Sequence, residues 1–114
     1  MAFTELERKR VEKAAEQFLA ARRPPPQVRH QLDFEVRIVR QSVELLEVRP
    51  RWNSPGEIIK YPVAKTTFVR TCNHWRVYWK RADRKWHAYD PPTAQTIARF
   101  FALVAADRYG CFFG

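Results

Sequence analysis

Between Trp75 and Lys80 the sequence reads Trp-Arg-Val-Tyr-Trp-Lys. Side chains along a strand alternate between faces, so Arg76, Tyr78 and Lys80 share one face and Trp75, Val77 and Trp79 the other. Cationic side chains bind phosphates by releasing condensed counterions, and exposed rings stack bases, so the first face is a candidate nucleic-acid surface. If the turns on either side are even-numbered, Lys65, Thr67, His87 and Tyr89 join that face, while Phe68 and Trp86 lie beside the tryptophans. Against this stands the plainer reading that a solvated sheet face carries Lys, Arg and Tyr because water favours them there.

A second cluster, Arg49-Pro-Arg-Trp52, offers two guanidiniums and an indole to an acidic or phosphorylated partner. Equally, Trp52 could roof one end of the core with its arginines in solvent. The carboxylates nearest to an enzyme pattern are Asp33 and Glu35 on one strand, with Glu44 and Glu47 on the next. Metal-dependent nucleases set acidic residues and a lysine on adjacent strands, but here Arg49 stands where the lysine would be, and arginine does not readily give up a proton. His30, Cys72, His74, His87 and Cys111 lack the paired spacing of a zinc motif. The residues call for no cofactor, no metal and no catalytic group.

Charge follows the same geography. The chain carries +9 from 21 basic and 12 acidic side chains, and residues 49–85 alone hold ten basic against two acidic. All four tryptophans, Trp52, Trp75, Trp79 and Trp86, lie in or just beyond that stretch. At 114 residues and 46% hydrophobic content the sequence predicts one folded domain over 1–114. Two cysteines are too few for a disulfide framework, and neither a signal-like leader nor an apolar run of membrane-spanning length is visible, so the expectation is a reduced, cytoplasmic protein with no membrane association.

The elements that must position these residues can be read from period and punctuation. Thr4 and Glu7 form a capping box, and Leu6, Val11, Ala14, Ala15 and Phe18 recur at helical spacing. Three prolines at 24–26 end this first helix, placed at about 5–22. Period-two runs then predict strands at Phe34–Val39 and Ser42–Val48, a loop over 49–56, and further strands at Pro62–Thr71, Trp75–Arg81 and Trp86–Tyr89. Asp90-Pro-Pro-Thr93 reads as a stop, with Thr93 capping a second helix over about 94–107 through Ile97, Phe100, Phe101 and Val104. The aromatic tail is expected to dock back onto the sheet.

Several segments together resemble a family of small bacterial proteins, the domain of unknown function 3024. They are Arg22-Arg-Pro-Pro-Pro26, Glu47-x-Arg-Pro-Arg-Trp52, Tyr61-Pro-Val-Ala-Lys65, Trp75-x-Val-Tyr-Trp79, Arg81-Ala-Asp83, Lys85-Trp-His87 and Tyr109-Gly-Cys-Phe-x-Gly114. The resemblance implies a bacterial, cytoplasmic single domain and brings no activity or site residue with it.

The sequence therefore predicts an α+β fold, an antiparallel meander of about five strands flanked by an N-terminal and a C-terminal helix. Its first functional expectation is non-catalytic nucleic-acid association through Arg49, Arg51, Trp52, Lys65, Arg76, Tyr78, Lys80 and His87. A module contacting an acidic protein or forming a homodimer is the alternative, and a metal-dependent nuclease comes third.

Overall fold

A computed structural model describes residues 3–113. The Thr4 hydroxyl accepts from the Glu7 amide at 3.2 Å, while the Glu7 carboxylate accepts from the Thr4 amide at 2.8 Å, which satisfies two donors at the start of helix α1 (Glu5–Arg22). The helix stops before the three prolines, and a short 3-10 turn (Pro26–Val28) leads into the sheet.

Five antiparallel strands follow in spatial order β1-β2-β3-β4-β5: β1 (Asp33–Val39), β2 (Ser42–Arg51), β3 (Ser54–Val69), β4 (His74–Lys80) and β5 (Trp86–Ala94). Helix α2 (Ile97–Ala106) closes the architecture, so the α+β meander with a helix at each end is the fold observed. Both helices lie on one side of the sheet. Val11, Phe18, Phe100, Phe101 and Val104 pack there against Phe34, Val43, Leu45, Ala64, Trp75 and Val77 in one buried cluster. Each large apolar side chain fully removed from water contributes roughly 1.5–3 kcal/mol. Leu46 obeys the strand alternation and is buried on the opposite face, between its cross-strand neighbours Glu35 and Pro62.

Three boundaries differ from the sequence expectation. The segment 49–56 is a hairpin rather than a loop: β2 continues to Arg51, β3 begins at Ser54, and Trp52-Asn53 make the turn. Beyond Val48 the ribbon has no β1 partner, and no β4 pairing precedes Ala64, so its prolines interrupt no wider ladder. Likewise Asp90-Pro-Pro-Thr93 does not end β5. Between the pairs Tyr78–Ala88 and Arg76–Thr93, β5 holds four residues against one, and this bulge on an edge strand absorbs both prolines. Thr93 therefore pairs in the sheet, and Thr96 caps α2 instead, its hydroxyl accepting from the Arg99 amide at 3.1 Å.

The tail docks as its composition suggests. Asp107, in the left-handed region at φ 41°, ends α2 and accepts from the amides of Phe112 (3.0 Å) and Phe113 (3.1 Å). That places Phe112 in the core and Phe113 edge-on to Phe34, with ring centroids 5.5 Å apart. Among the described residues, no helix is long and apolar enough to cross a membrane.

Candidate nucleic-acid interface

β4 sorts its side chains as alternation requires: Trp75 and Val77 are buried under the helices, and Arg76 is exposed on the other face. The β3–β4 loop, residues 70–73, holds four residues, and Val69 pairs with His74. This even count sets Lys65 opposite Tyr78 and Thr67 opposite Arg76, on the face away from both helices. The Thr66 hydroxyl, fully buried, donates to the Arg76 carbonyl at 2.7 Å and fixes the two strands at this point.

The β4–β5 loop is odd, and here the expectation fails. Residues 81–85 make a five-residue connection in which the Arg81 amide donates to the Lys85 carbonyl, and Arg84 takes φ 63°. Lys80 consequently pairs with Trp86, and Trp79 with His87. A slip of one residue exchanges every side chain between faces. Trp86, assigned to the core by sequence, joins the cationic face. His87 leaves it and holds Asp83 at 2.9 Å, and Tyr89 goes into the core at 4% exposure against Phe112. The Asp83 carboxyl is held below the usual carboxylate range, first by the Lys85 amide and then by the His87 ring.

The resulting surface alternates ammonium groups and rings. Lys65 Nζ lies 5.8 Å from the centre of the Tyr78 ring and 5.7 Å from that of Trp86, and Lys80 Nζ lies 5.2 Å from Trp86 and 5.2 Å from Tyr61, which reaches the end of β4 from the β2–β3 ribbon. Both are within the range of attraction between a cation and a ring quadrupole. Trp86 is thus shared by two lysines and is the participant that sequence reasoning missed; Tyr61, opposite Glu47, belongs to the helix side of the ribbon and meets the Lys80 ammonium from there. Counting the loop as 81–85 would have found Trp86.

Carboxylates divide this face in two. On its β1–β2 half, Arg37 binds Glu44 at 2.6 Å and Lys60 binds Glu35 at 3.0 Å, so the charges cancel. On its β3–β5 half, Lys65, Arg76 and Lys80 have no carboxylate within ion-pair distance among the described residues. Glu44 stands opposite Lys65 in the ladder but is engaged by Arg37.

The ribbon arginines differ from this group in being matched by carboxylates, although Arg49 lines the same cleft as Lys80. Arg49 is paired with Glu47 and Arg51 with Glu57 at 3.0 Å, while Trp52 caps the tip at 91% exposure and roofs nothing. The acidic residues of the nuclease pattern do not converge either. Asp33 is gripped by Arg23 through two bonds of 2.7 and 2.6 Å, an arrangement that holds its carboxyl below the ordinary range. Glu44 and Glu47 lie on opposite faces of β2, each with an arginine. Among the described residues no three His, Cys, Asp or Glu side chains come together to hold a metal ion, and Cys72 and Cys111 are free thiols.

No curated protein and no solved structure matches the chain. A family model described as a domain of unknown function, DUF3024, matches residues 3–114, and the chain belongs to that family.

Proposed function

We propose that this chain binds nucleic acid, without catalysing a reaction on it, through the half of its sheet formed by β3, β4 and β5. The observation that carries the reading is that Lys65, Arg76 and Lys80 stand together on a face no helix covers, free of carboxylate partners among the described residues and interleaved with Tyr78 and Trp86. A cation already matched by a carboxylate must give up that partner to bind phosphate; these three have no such partner to lose. The cytoplasm, where both thiols stay reduced, is the setting this reading assigns to it.

Fluorescence anisotropy of a labelled oligonucleotide, titrated at several salt concentrations, tests the proposal. Log affinity should fall linearly with log salt, by about 0.9 per phosphate neutralised on duplex or about 0.7 on a single strand. Replacing Lys65, Arg76 and Lys80 by glutamate should abolish binding, and replacing Lys9 and Lys13 on α1 should not. Absence of binding at low salt, or equal losses from both sets, defeats it.

A second reading rests on Trp52. An indole at 91% exposure on the tip of a projecting hairpin suits the centre of a protein contact better than a solvated turn, with an acidic protein or a second copy of the chain as the partner. Sedimentation of the wild type and Trp52→Ala proteins over a range of concentrations tests the second-copy form. A monomer at every concentration removes it.

A further inference from the structure

We infer that the nucleic acid bound here is single-stranded, with bases stacked on Trp86 and Tyr78 and the intervening phosphates held by Lys65 and Lys80; this rests on the nucleic-acid reading above and narrows it. Duplex is read by an element that enters a groove, an α-helix or a two-stranded ribbon. Both helices of this chain pack on the far side of the sheet from Lys65, Arg76 and Lys80, and the outer side of α1 interleaves Arg8, Arg10 and Lys13 with the exposed carboxylates of Glu5, Glu12 and Glu16 and exposes no ring. The one projecting ribbon has Arg49 and Arg51 committed to Glu47 and Glu57. The ribbon is thus neutralised and α1 is of mixed charge, and neither joins unpaired cations to rings as the sheet face does.

What the face does offer is rings and point charges in alternation. Lys65 lies within 5.8 Å of both Trp86 and Tyr78, so these two rings share one ammonium, and a second ammonium, that of Lys80, lies 5.2 Å from Trp86. A single strand carries bases and phosphates in the same alternation, whereas in a duplex the base faces are covered by their own stack. In the free protein the ammonium groups rest on the rings. A base arriving on Trp86 replaces a lysine there, and the displaced ammonium, on its flexible stem, meets the adjoining phosphate. Arg76, exposed between Thr67 and Thr93, continues the cationic track along β4 beyond Tyr78.

The test compares a labelled oligothymidylate of about 16 nucleotides, a length that spans the usual site of one such sheet, with a duplex of equal length. The single strand should bind more tightly at every salt concentration. Trp86→Leu, which keeps an apolar side chain and removes the ring, should weaken that binding by roughly 5- to 100-fold without changing the salt slope. Lys65→Gln should instead lower the slope by about 0.7. Tyr78→Leu gives an independent measure should Trp86→Leu fail to fold, and is expected to weaken binding in the same way. Equal affinity for both oligonucleotides with both ring variants neutral overturns single-strand recognition and leaves duplex association standing. Binding to neither overturns both readings.

Discussion

Lys80 and Trp86 face each other across the β4–β5 ladder, the ammonium 5.2 Å from the centre of the indole. This pairing exists because the loop between them has five residues. It decides which aromatic side chains of β5 meet solvent and which meet the core.

Deleting Ala82 from that loop should therefore be far more damaging than the loss of an exposed alanine. A four-residue connection would turn Trp86 inward and draw Tyr89 out of its place against Phe112. The expected cost is at least about 3 kcal/mol, comparable to removing a large core ring, read as a shift in urea midpoint. A deletion mutant of wild-type stability would show that register is set elsewhere.

Acid should loosen the seam between α1 and the β3–β4 loop. The Arg70 guanidinium, 2.7 Å from Glu7, together with the Thr4 amide, draws the Glu7 carboxyl from its ordinary 4.5 down to about 2. A carboxyl lowered on folding adds stability that is complete above its unfolded value and is lost as pH falls from about 4.5 toward 2. Thermal melts across that window should show a smaller acid-induced drop for Glu7→Gln than for wild type, with the two curves differing most at neutral pH. Identical profiles would mean the pair contributes nothing measurable.

Asp107 is expected to hold the C-terminal tail in place. Its carboxylate accepts two tail amides, and hydrogen bonds to a charged group are worth roughly 1.5–3 kcal/mol. Asp107→Ala should lower stability by an amount in that range and should raise the reaction rate of Cys111 with a thiol reagent, since burial foremost, and Asp107 after it, pushes that thiol above its ordinary range. Unchanged Cys111 reactivity would separate the tail from this cap.

Trp52→Ala should leave both urea stability, within about 0.5 kcal/mol, and oligonucleotide affinity at the wild-type level, because the side chain touches neither the core nor the cationic half of the sheet. A loss of oligonucleotide affinity would extend the interface onto the ribbon.

Local signals in the sequence carried most of the architecture. The Thr4–Glu7 box and the three prolines bound α1 because both act within a few residues. Lys65, Arg76, Tyr78 and Lys80 could be grouped because alternation and one even loop suffice to align them. Trp86 and His87 were exchanged because face assignment beyond a loop depends on its parity, and the left-handed Arg84 that completes the fifth position leaves no glycine as a sign. Prolines misled twice, at Pro50 and at Pro91-Pro92, since both a bulge and an unpaired edge tolerate a missing donor. Arg49 is neutralised by Glu47, two residues back on the same side of β2, which alternation alone places beside it, whereas Arg51 meets Glu57 only because 49–56 folds as a hairpin rather than the expected loop.

The ribbon beyond Val48 has a further consequence for how the molecule behaves when crowded. Its two outer margins present backbone groups that no strand among the described residues pairs with, and such rows are how sheets from separate molecules fuse. Pro50 and Pro62 leave gaps in those rows, and irregular register at Leu45/Leu46 and Pro50/Arg51 spoils their flatness, so a neighbouring strand finds no continuous template along them.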